Sequence, residues 1–336
     1  MRILVTGGAG FIGSNFVHHV MESRPDAEVV VLDVLTYAGN LDNLKDVEED
    51  PRFSFVRGNI CDAEAVRKAM KGCDFVLNFA AETHVDRSIG DPGNFVQTDV
   101  YGAYVLLEAA KEHGVRRFIQ VSTDEVYGER MDSAATEDSA LMPRNPYAAS
   151  KAGGDRLAFS YWATYGLPVV ITRCSNNYGP NQYPEKLIPL FVTNAIDDEP
   201  LPVYGSGKNI RDWIHVQDHA AALDLLMDAE GADGQVFNIA AENGLTVLEI
   251  TSLILKTLGK PETLIRHVDD RQGHDRRYWL STRKLREAYS WEPGHSFETG
   301  MVETIRWFQE NEWWWRKIKS GEFREYYRKH YAALND

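Results

Sequence analysis

Cysteine is scarce in this chain. Its 336 residues include three, Cys61, Cys73 and Cys174. An odd number without framework spacing argues against a disulfide scaffold, and reduced thiols in a cytoplasmic protein are the simplest reading. No apolar run is long enough to span a membrane. The first one, Ile3–Val5, is a short strand stopped at once by glycines, and it does not read as a signal peptide. The histidines and cysteines are scattered, with no metal-ligand spacing. Positive charge is also in deficit: 36 Lys and Arg stand against 50 Asp and Glu, a net charge of −14. That field opposes nonspecific nucleic-acid binding, and an anionic ligand would need a local cluster of cations. There is no internal repeat and no low-complexity tract.

The composition is that of an ordinary globular chain, 43% hydrophobic and 26% charged. Short β-branched runs at Ile3–Val5, Val29–Leu32, Phe53–Arg57, Phe75–Asn78, Phe118–Ser122 and Val169–Thr172 alternate with helical periods. The helical candidates are Phe11–Glu22, 63–71, 95–113 and 147–165. This rhythm predicts an α/β fold, a doubly wound parallel sheet of the dinucleotide-binding kind. After Thr172, Pro and Gly become dense. Val236–Ile239 reads as one more buried strand, so the chain returns to the first sheet. Helices at about 216–228, 246–258 and 297–318 are expected to complete a smaller lobe, with 319–336 as a surface helix. The expected division is 1–175 plus about 210–260 for the sheet domain, and about 176–209 plus 261–336 for a discontinuous α/β lobe.

The first strand ends in Gly7-Gly8-Ala9-Gly10-Phe11-Ile12-Gly13. Glycines there permit a tight turn and let backbone N–H groups approach a pyrophosphate at a helix N-terminus. Asp33 ends the second strand, where its carboxylate suits an adenosine ribose and repels a 2′-phosphate, so NAD is favoured over NADP. Ligands sit at the C-terminal ends of such strands, which adds Asn59, Ile60, Phe79, Ala80, Ala81 and Thr98 to the cofactor candidates. Thr83, His84 and Ser88 are expected to face the same opening. His84 reads equally well as a surface or capping residue.

Phe118–Val121 delivers Thr123-Asp124-Glu125 to the same edge. Two neighbouring carboxyl groups resist simultaneous ionisation, so one can hold a proton. The pair offers an acid and a base, or else caps the following turn. Tyr147 and Lys151 lie one turn apart on a helix that starts at Pro146, and an ammonium beside a phenol lowers the phenol's pKa. Further on, Lys186, Lys208, Arg211, Arg271, Arg276 and Arg277 alternate with Asn176, Asn177, Tyr204 and Tyr278. Arg forks suit diphosphate oxygens; surface ion pairs account for such residues equally. Trp313-Trp314-Trp315 reads as packing of the last helix.

Together these motifs resemble the extended short-chain dehydrogenase/reductase superfamily, and within it the dTDP-glucose 4,6-dehydratases. The residues that carry the likeness are Gly7–Gly13, Asn78–Ser88, Ser122–Gly128, Tyr147–Lys151, Arg173–Pro180 and Gly273–Tyr278, with Thr123-Asp124-Glu125 the discriminating triplet. The resemblance implies a reaction on dTDP-glucose with NAD as resident cofactor. Tyr147 would take the 4-OH proton while NAD takes the C4 hydride. Lys151 would hold the nicotinamide ribose and Thr123 would bond O4. Glu125 would remove the C5 hydrogen, Asp124 would protonate the C6 hydroxyl, and the hydride would return to C6. The resemblance further implies substrate contacts at Thr83, His84, Asn176, Lys186, Leu187, Pro202, Val203, Tyr204, Arg211, Asn243, Arg271, His274, Arg277 and Tyr278. Asn177 would lie on the cofactor side. Gln272 stands where the family's run carries proline. A homodimer is implied, through the helices at 95–113 and 147–165. The competing readings are an NAD-dependent nucleotide-sugar 4-epimerase, against which the carboxyl pair argues, and an NAD-sensing regulator, which typically loses Tyr or Lys.

Overall fold

Val, Ile, Leu and Phe supply the apolar side chains of seven short segments, and each forms a strand. They are β1 (Arg2–Thr6), β2 (Glu28–Asp33), β3 (Phe53–Arg57), β4 (Phe75–Asn78), β5 (Arg117–Thr123), β6 (Val169–Cys174) and β7 (Val236–Ile239). In the computed structural model, which describes residues 1–83, 85–270 and 275–320, they make one sheet in the order β7-β6-β5-β4-β1-β2-β3. Every pairing in it is parallel. Both faces are covered, as a parallel sheet requires. The pleat sends Ile3 and Val5 to one side, where they pack with Phe16, Val17 and Val20, and Leu4 to the other, with Leu106, Leu107 and Phe118.

The first face is covered by the helices over Phe11–Ser23 and Val216–Asp228, which pack on one another. The second of these was expected both among the lobe's helices and within the 210–260 part of the sheet domain; its apolar stripe, Ala220, Ala222, Leu223 and Leu226, joins the sheet's core. The other face is covered by Ala63–Met70, Ala103–His113 and Pro146–Tyr165. The last of these begins on a built N-cap. The Asn145 side chain accepts from the Ala148 N–H, Pro146 supplies the first turn, and Gly166 closes the far end with φ of +67°.

The segment expected as one helix over 95–113 starts earlier, at Pro92, and carries a π-helical stretch over Val96–Gly102. That stretch turns Asp99 inward, where Ser150 and the Glu82 N–H meet its carboxylate. The lobe has its own core, formed by helices Leu187–Ile196, Val247–Leu258 and Phe297–Glu310. Two short parallel pairs flank it, Leu201–Tyr204 with Ile265–Val268 and Asn176–Tyr178 with Trp213–His215. The final helical region breaks at Asn311 and resumes over Glu312–Lys319. Trp314 and Trp315 are buried in the lobe core, while Trp313 stays exposed beside Lys45. The surface helix expected over 319–336 lies, beyond Ser320, outside the described residues.

Candidate active site

A cleft of about 660 Å³ opens where the C-terminal ends of the sheet strands meet the lobe. Its floor begins at the glycine turn. Gly7 has φ of +67°, and a Cβ there would lie 2.7 Å from the Ala80 backbone nitrogen. A Cβ on Gly13 would lie 2.4 Å from the Gly7 carbonyl oxygen. The helix over Phe11–Ser23 therefore starts against the strand as only glycine allows, with its first N–H groups open to the cleft. Asp33 stands at the end of β2, its carboxylate fixed by the N–H groups of Ala9 (3.0 Å) and Leu35 (2.8 Å). Gly10, Phe11, Ile12, Asn59, Ile60, Phe79, Ala80, Ala81, Thr98 and Asn177 line the same half of the cleft. These residues fit an adenine dinucleotide: a close-approach glycine turn, a helix N-terminus and a buried ribose-type acceptor.

At the centre, β5 delivers Thr123, Asp124 and Glu125. The capping alternative for the carboxyls does not hold, because the Thr123 side chain caps the turn by accepting from the Glu125 N–H at 3.3 Å. Asp124 and Glu125 are free for chemistry, and their surroundings differ. Asp124 is buried, accepts at Oδ1 from the Thr123 hydroxyl at 3.1 Å, and its Oδ2 has no partner among the described residues. Burial and the neighbouring Glu125 push its carboxyl up to about 8, so it holds a proton at neutral pH. Glu125, half-buried, is also raised by burial, but a 3.2 Å hydrogen bond from the Asn145 amide and the charges of Arg211 and Lys186 act against the rise. The first is poised as an acid, the second as a base.

Tyr147 lines the cleft beside them, and Lys151 is buried behind it. The lysine was expected to lower the phenol's pKa. The structure gives the opposite direction: burial, then the negative charges of Glu125 and Asp99, raise Tyr147 well above its ordinary value, while a hydrogen bond with Thr123 acts downward. The Lys151 ammonium instead donates to the Val121 carbonyl at 2.8 Å.

Thr83, after β4, and on the lobe side Asn176, Lys186, Leu187, Pro202, Tyr204, Arg211 and Tyr278 complete the cleft. Lys186 Nζ donates to Thr83 Oγ1 at 3.3 Å, and the Arg211 guanidinium stacks 4.3 Å from the Tyr278 ring centroid. Four expected residues are not in it. Val203 is fully buried in the lobe core, on the opposite face of its strand from Pro202 and Tyr204. The Asn243 amide is spent on the backbone of Trp213, at 2.9 and 2.7 Å. Asn243 and Arg277 line a separate small cavity, where Arg277 stacks on Trp279. Ser88 is buried and returns its hydroxyl to the Val85 carbonyl. His84, Arg271, Gln272 and His274 lie outside the described residues.

Sequence reasoning missed Asn145 and Glu185, which line the cleft, and several residues that pack around it. Asn145, before Pro146, carried a readable N-cap signal. Asp99 carried none, since its role depends on Ser150 and Glu82 in other elements. Burial lifts its carboxyl to about 6 against the opposing Lys151 charge. Tyr37, Arg87 and Glu185 were also missed. The Arg87 guanidinium lies 3.7 Å over the Tyr37 ring and bonds Glu185, and the Tyr37 hydroxyl donates to the Thr83 carbonyl. Among the described residues, no group of three His, Cys, Asp or Glu is placed to hold a metal ion.

The arrangement combines a dinucleotide cradle with a phenol, an acid and a base. A family model described as GDP-mannose 4,6 dehydratase matches residues 4–304. The chain is 50% identical to a dTDP-glucose 4,6-dehydratase of Streptomyces niveus, over 96% of this chain and 97% of that one. The chain belongs to the nucleotide-sugar 4,6-dehydratase family. Among solved structures, the dTDP-glucose 4,6-dehydratase DesIV of Streptomyces venezuelae, with NAD bound, superposes with a TM-score of 0.92. It is 49% identical, over 95% of this chain and all of that one. A UDP-glucose 4-epimerase of Thermotoga maritima shares the fold at a TM-score of 0.86 with 31% identity, over 93% of this chain and all of that one. The fold alone therefore does not separate dehydratase from epimerase; the degree of identity does.

Proposed function

We propose that this family member converts dTDP-glucose to dTDP-4-keto-6-deoxyglucose with NAD as resident cofactor. The observation that carries the reading is the pair Asp124 and Glu125, one carboxyl holding a proton and the other hydrogen-bonded, beside Tyr147 in the cradle's cleft. NAD, when bound, supplies a hydride acceptor that later gives the hydride back, and a positive charge that favours a phenolate nearby. Gly7, Gly10, Phe11, Ile12 and Gly13 hold its pyrophosphate, and Asp33 its adenosine ribose. Asn59, Ile60, Phe79, Ala80, Ala81, Thr98 and Asn177 complete that half of the site.

Thr123 bonds the sugar's O4 while Tyr147 takes the 4-hydroxyl proton. The resulting C4 ketone acidifies C5–H, and Glu125 removes that proton. Asp124 gives its proton to the C6 hydroxyl, which departs as water, and Glu125 is placed to return a proton to C5. Lys186 and Arg211 neutralise the diphosphate. Leu187, Pro202 and Tyr204 face the base, and Thr83, Asn176 and Tyr278 the sugar. The products balance as one keto sugar nucleotide and one water, with no net redox change.

The division of labour follows the chain. Residues 1–175 with the helix over Val216–Asp228 and β7 form the cofactor domain, and about 176–213 with the helices over Val247–Leu258 and Phe297–Glu310 the substrate lobe; the expected boundary at about 260 is corrected because Val247–Leu258 packs in the lobe core. The helices at 95–113 and 147–165 expose Tyr101, Tyr104, Trp162 and Tyr165, an aromatic face that supports a homodimer. The three cysteines are free, two of them buried, and that supports a reducing, cytoplasmic setting. Among the described residues no helix is long and apolar enough to cross a membrane. Incubation with dTDP-glucose and then UDP-glucose, followed by mass spectrometry, tests the reading. Loss of water supports it, a product of unchanged mass would favour the epimerase, and no turnover would favour a regulator.

A further inference from the structure

The proposed reaction needs Glu125 and Tyr147 to act on neighbouring positions of one sugar ring, although they arrive on different elements. Glu125 sits in the turn after β5; Tyr147 is the second residue of the helix over Pro146–Tyr165. One side chain touches both elements. Asn145 Oδ1 accepts from the Ala148 N–H at 2.8 Å, which caps the helix. That bond fixes the amide's orientation, so Nδ2 points the other way and donates to Glu125 Oε2 at 3.2 Å. An amide with one end committed to a helix terminus cannot flip without orphaning a backbone donor.

We propose that Asn145 is a positioning residue which sets Glu125 as the C5 base and locks it in register with the start of the Tyr147 helix. The inference rests on the dehydratase reading and extends it.

The surroundings of Glu125 make this bond matter. Asp124 is its chain neighbour, but Asp124 Oδ2 has no hydrogen-bond partner among the described residues and so makes no bond to Glu125. Tyr278 approaches Oε2 at 3.4 Å, but its hydroxyl is committed to Asp275 Oδ2 at 2.6 Å. Asp275 in turn pairs with Arg144 at 2.6 Å and faces Glu125 as a second negative charge. Arg211 and Lys186 oppose it from the lobe, and Tyr147 stands across the cleft. The Asn145 amide is thus the close neutral donor that favours the ionised carboxylate. A serine at position 145 would still cap the helix. It would be too short to cap and reach Glu125 together.

The test is Asn145→Ser in the intact protein, with dTDP-glucose carrying hydrogen or deuterium at C5. Losing a hydrogen bond to a charged group predicts a fall in kcat of about tenfold or more. KM should change little. The C5 isotope effect on kcat should grow, and an oxidised but undehydrated 4-keto sugar nucleotide should build up in quenched turnovers. The acid limb of the kcat profile should move to higher pH, because Glu125 loses a bond that favours its charged form, while the alkaline limb set by Asp124 stays. An Asn145→Asp variant keeps the cap and adds a negative charge, so it should be slower still. Wild-type turnover with an unmoved acid limb in Asn145→Ser, a slow variant without a larger C5 isotope effect, or Asn145→Asp outpacing Asn145→Ser would each overturn the inference. If wild-type protein itself fails to dehydrate dTDP-glucose, the underlying reading fails instead.

Discussion

At the scale of single residues, the cleft separates two carboxyl groups that the sequence places side by side. Asp124 is buried without a donor at Oδ2, and Glu125 receives the Asn145 amide. Glu125→Gln keeps the shape and removes the base. Quenched reactions of that variant should contain 4-keto-glucose nucleotide without loss of water; full dehydration would remove Glu125 from the mechanism. The acid role proposed for Asp124 requires it to enter the cycle protonated, and its carboxyl is pushed up to about 8. The sign follows directly: the acid form is present below that value and lost above it. Initial rates at saturating substrate should therefore fall as pH rises through this region, and a flat alkaline profile would show that the acid lies elsewhere. The carboxyl pair was legible in the sequence because neighbouring like charges repel whatever the fold. The upward direction of the Tyr147 phenol was not, since it depends on burial and on Asp99, which a π-helical stretch turns inward.

At the scale of elements, most of the architecture was readable. Strands at 53–57, 75–78 and 236–239 form where their apolar runs lie, and the helix over 216–228 has the expected ends. Its partner was readable only in part: the expected division gave 210–260 to the sheet, but an apolar stripe does not itself say which core it joins. Val203 illustrates the reverse. Alternation along Leu201–Tyr204 already puts it opposite Pro202 and Tyr204, so its burial in the lobe core follows from strand geometry. The glycine turn makes a firm demand on its residues. In Gly13→Ala the new Cβ would meet the Gly7 carbonyl at 2.4 Å and Gly8 Cα at 2.8 Å, both backbone atoms that cannot swing away. The strand–helix junction must then shift, at a cost of about 1–3 kcal/mol. Calorimetric titration should show NAD binding weakened by about tenfold or more, the equivalent of 1.4 kcal/mol. Unchanged affinity would mean that the turn is not the pyrophosphate site.

At the scale of the whole molecule, the sheet and lobe enclose one large cleft, and the helices on the sheet's far face carry the exposed aromatics Tyr101, Tyr104 and Tyr165. If that face joins two copies, Tyr104→Glu should shift the sedimentation coefficient from dimer to monomer with the fold retained; an unchanged coefficient would place the interface elsewhere or show none. The sheet and its cleft were legible because βαβ periodicity encodes them. The cluster of Tyr37, Arg87 and Glu185 beside Thr83 was not, for it joins three segments far apart in the chain. In the proposed reaction one cofactor would remove and restore the same hydride on one sugar. The most direct measurement uses dTDP-glucose carrying deuterium at C4, with the product read by mass spectrometry and NMR. The account predicts a product lighter by one water with deuterium at C6. A product of unchanged mass, or a dehydrated product with hydrogen from solvent at C6, would contradict it.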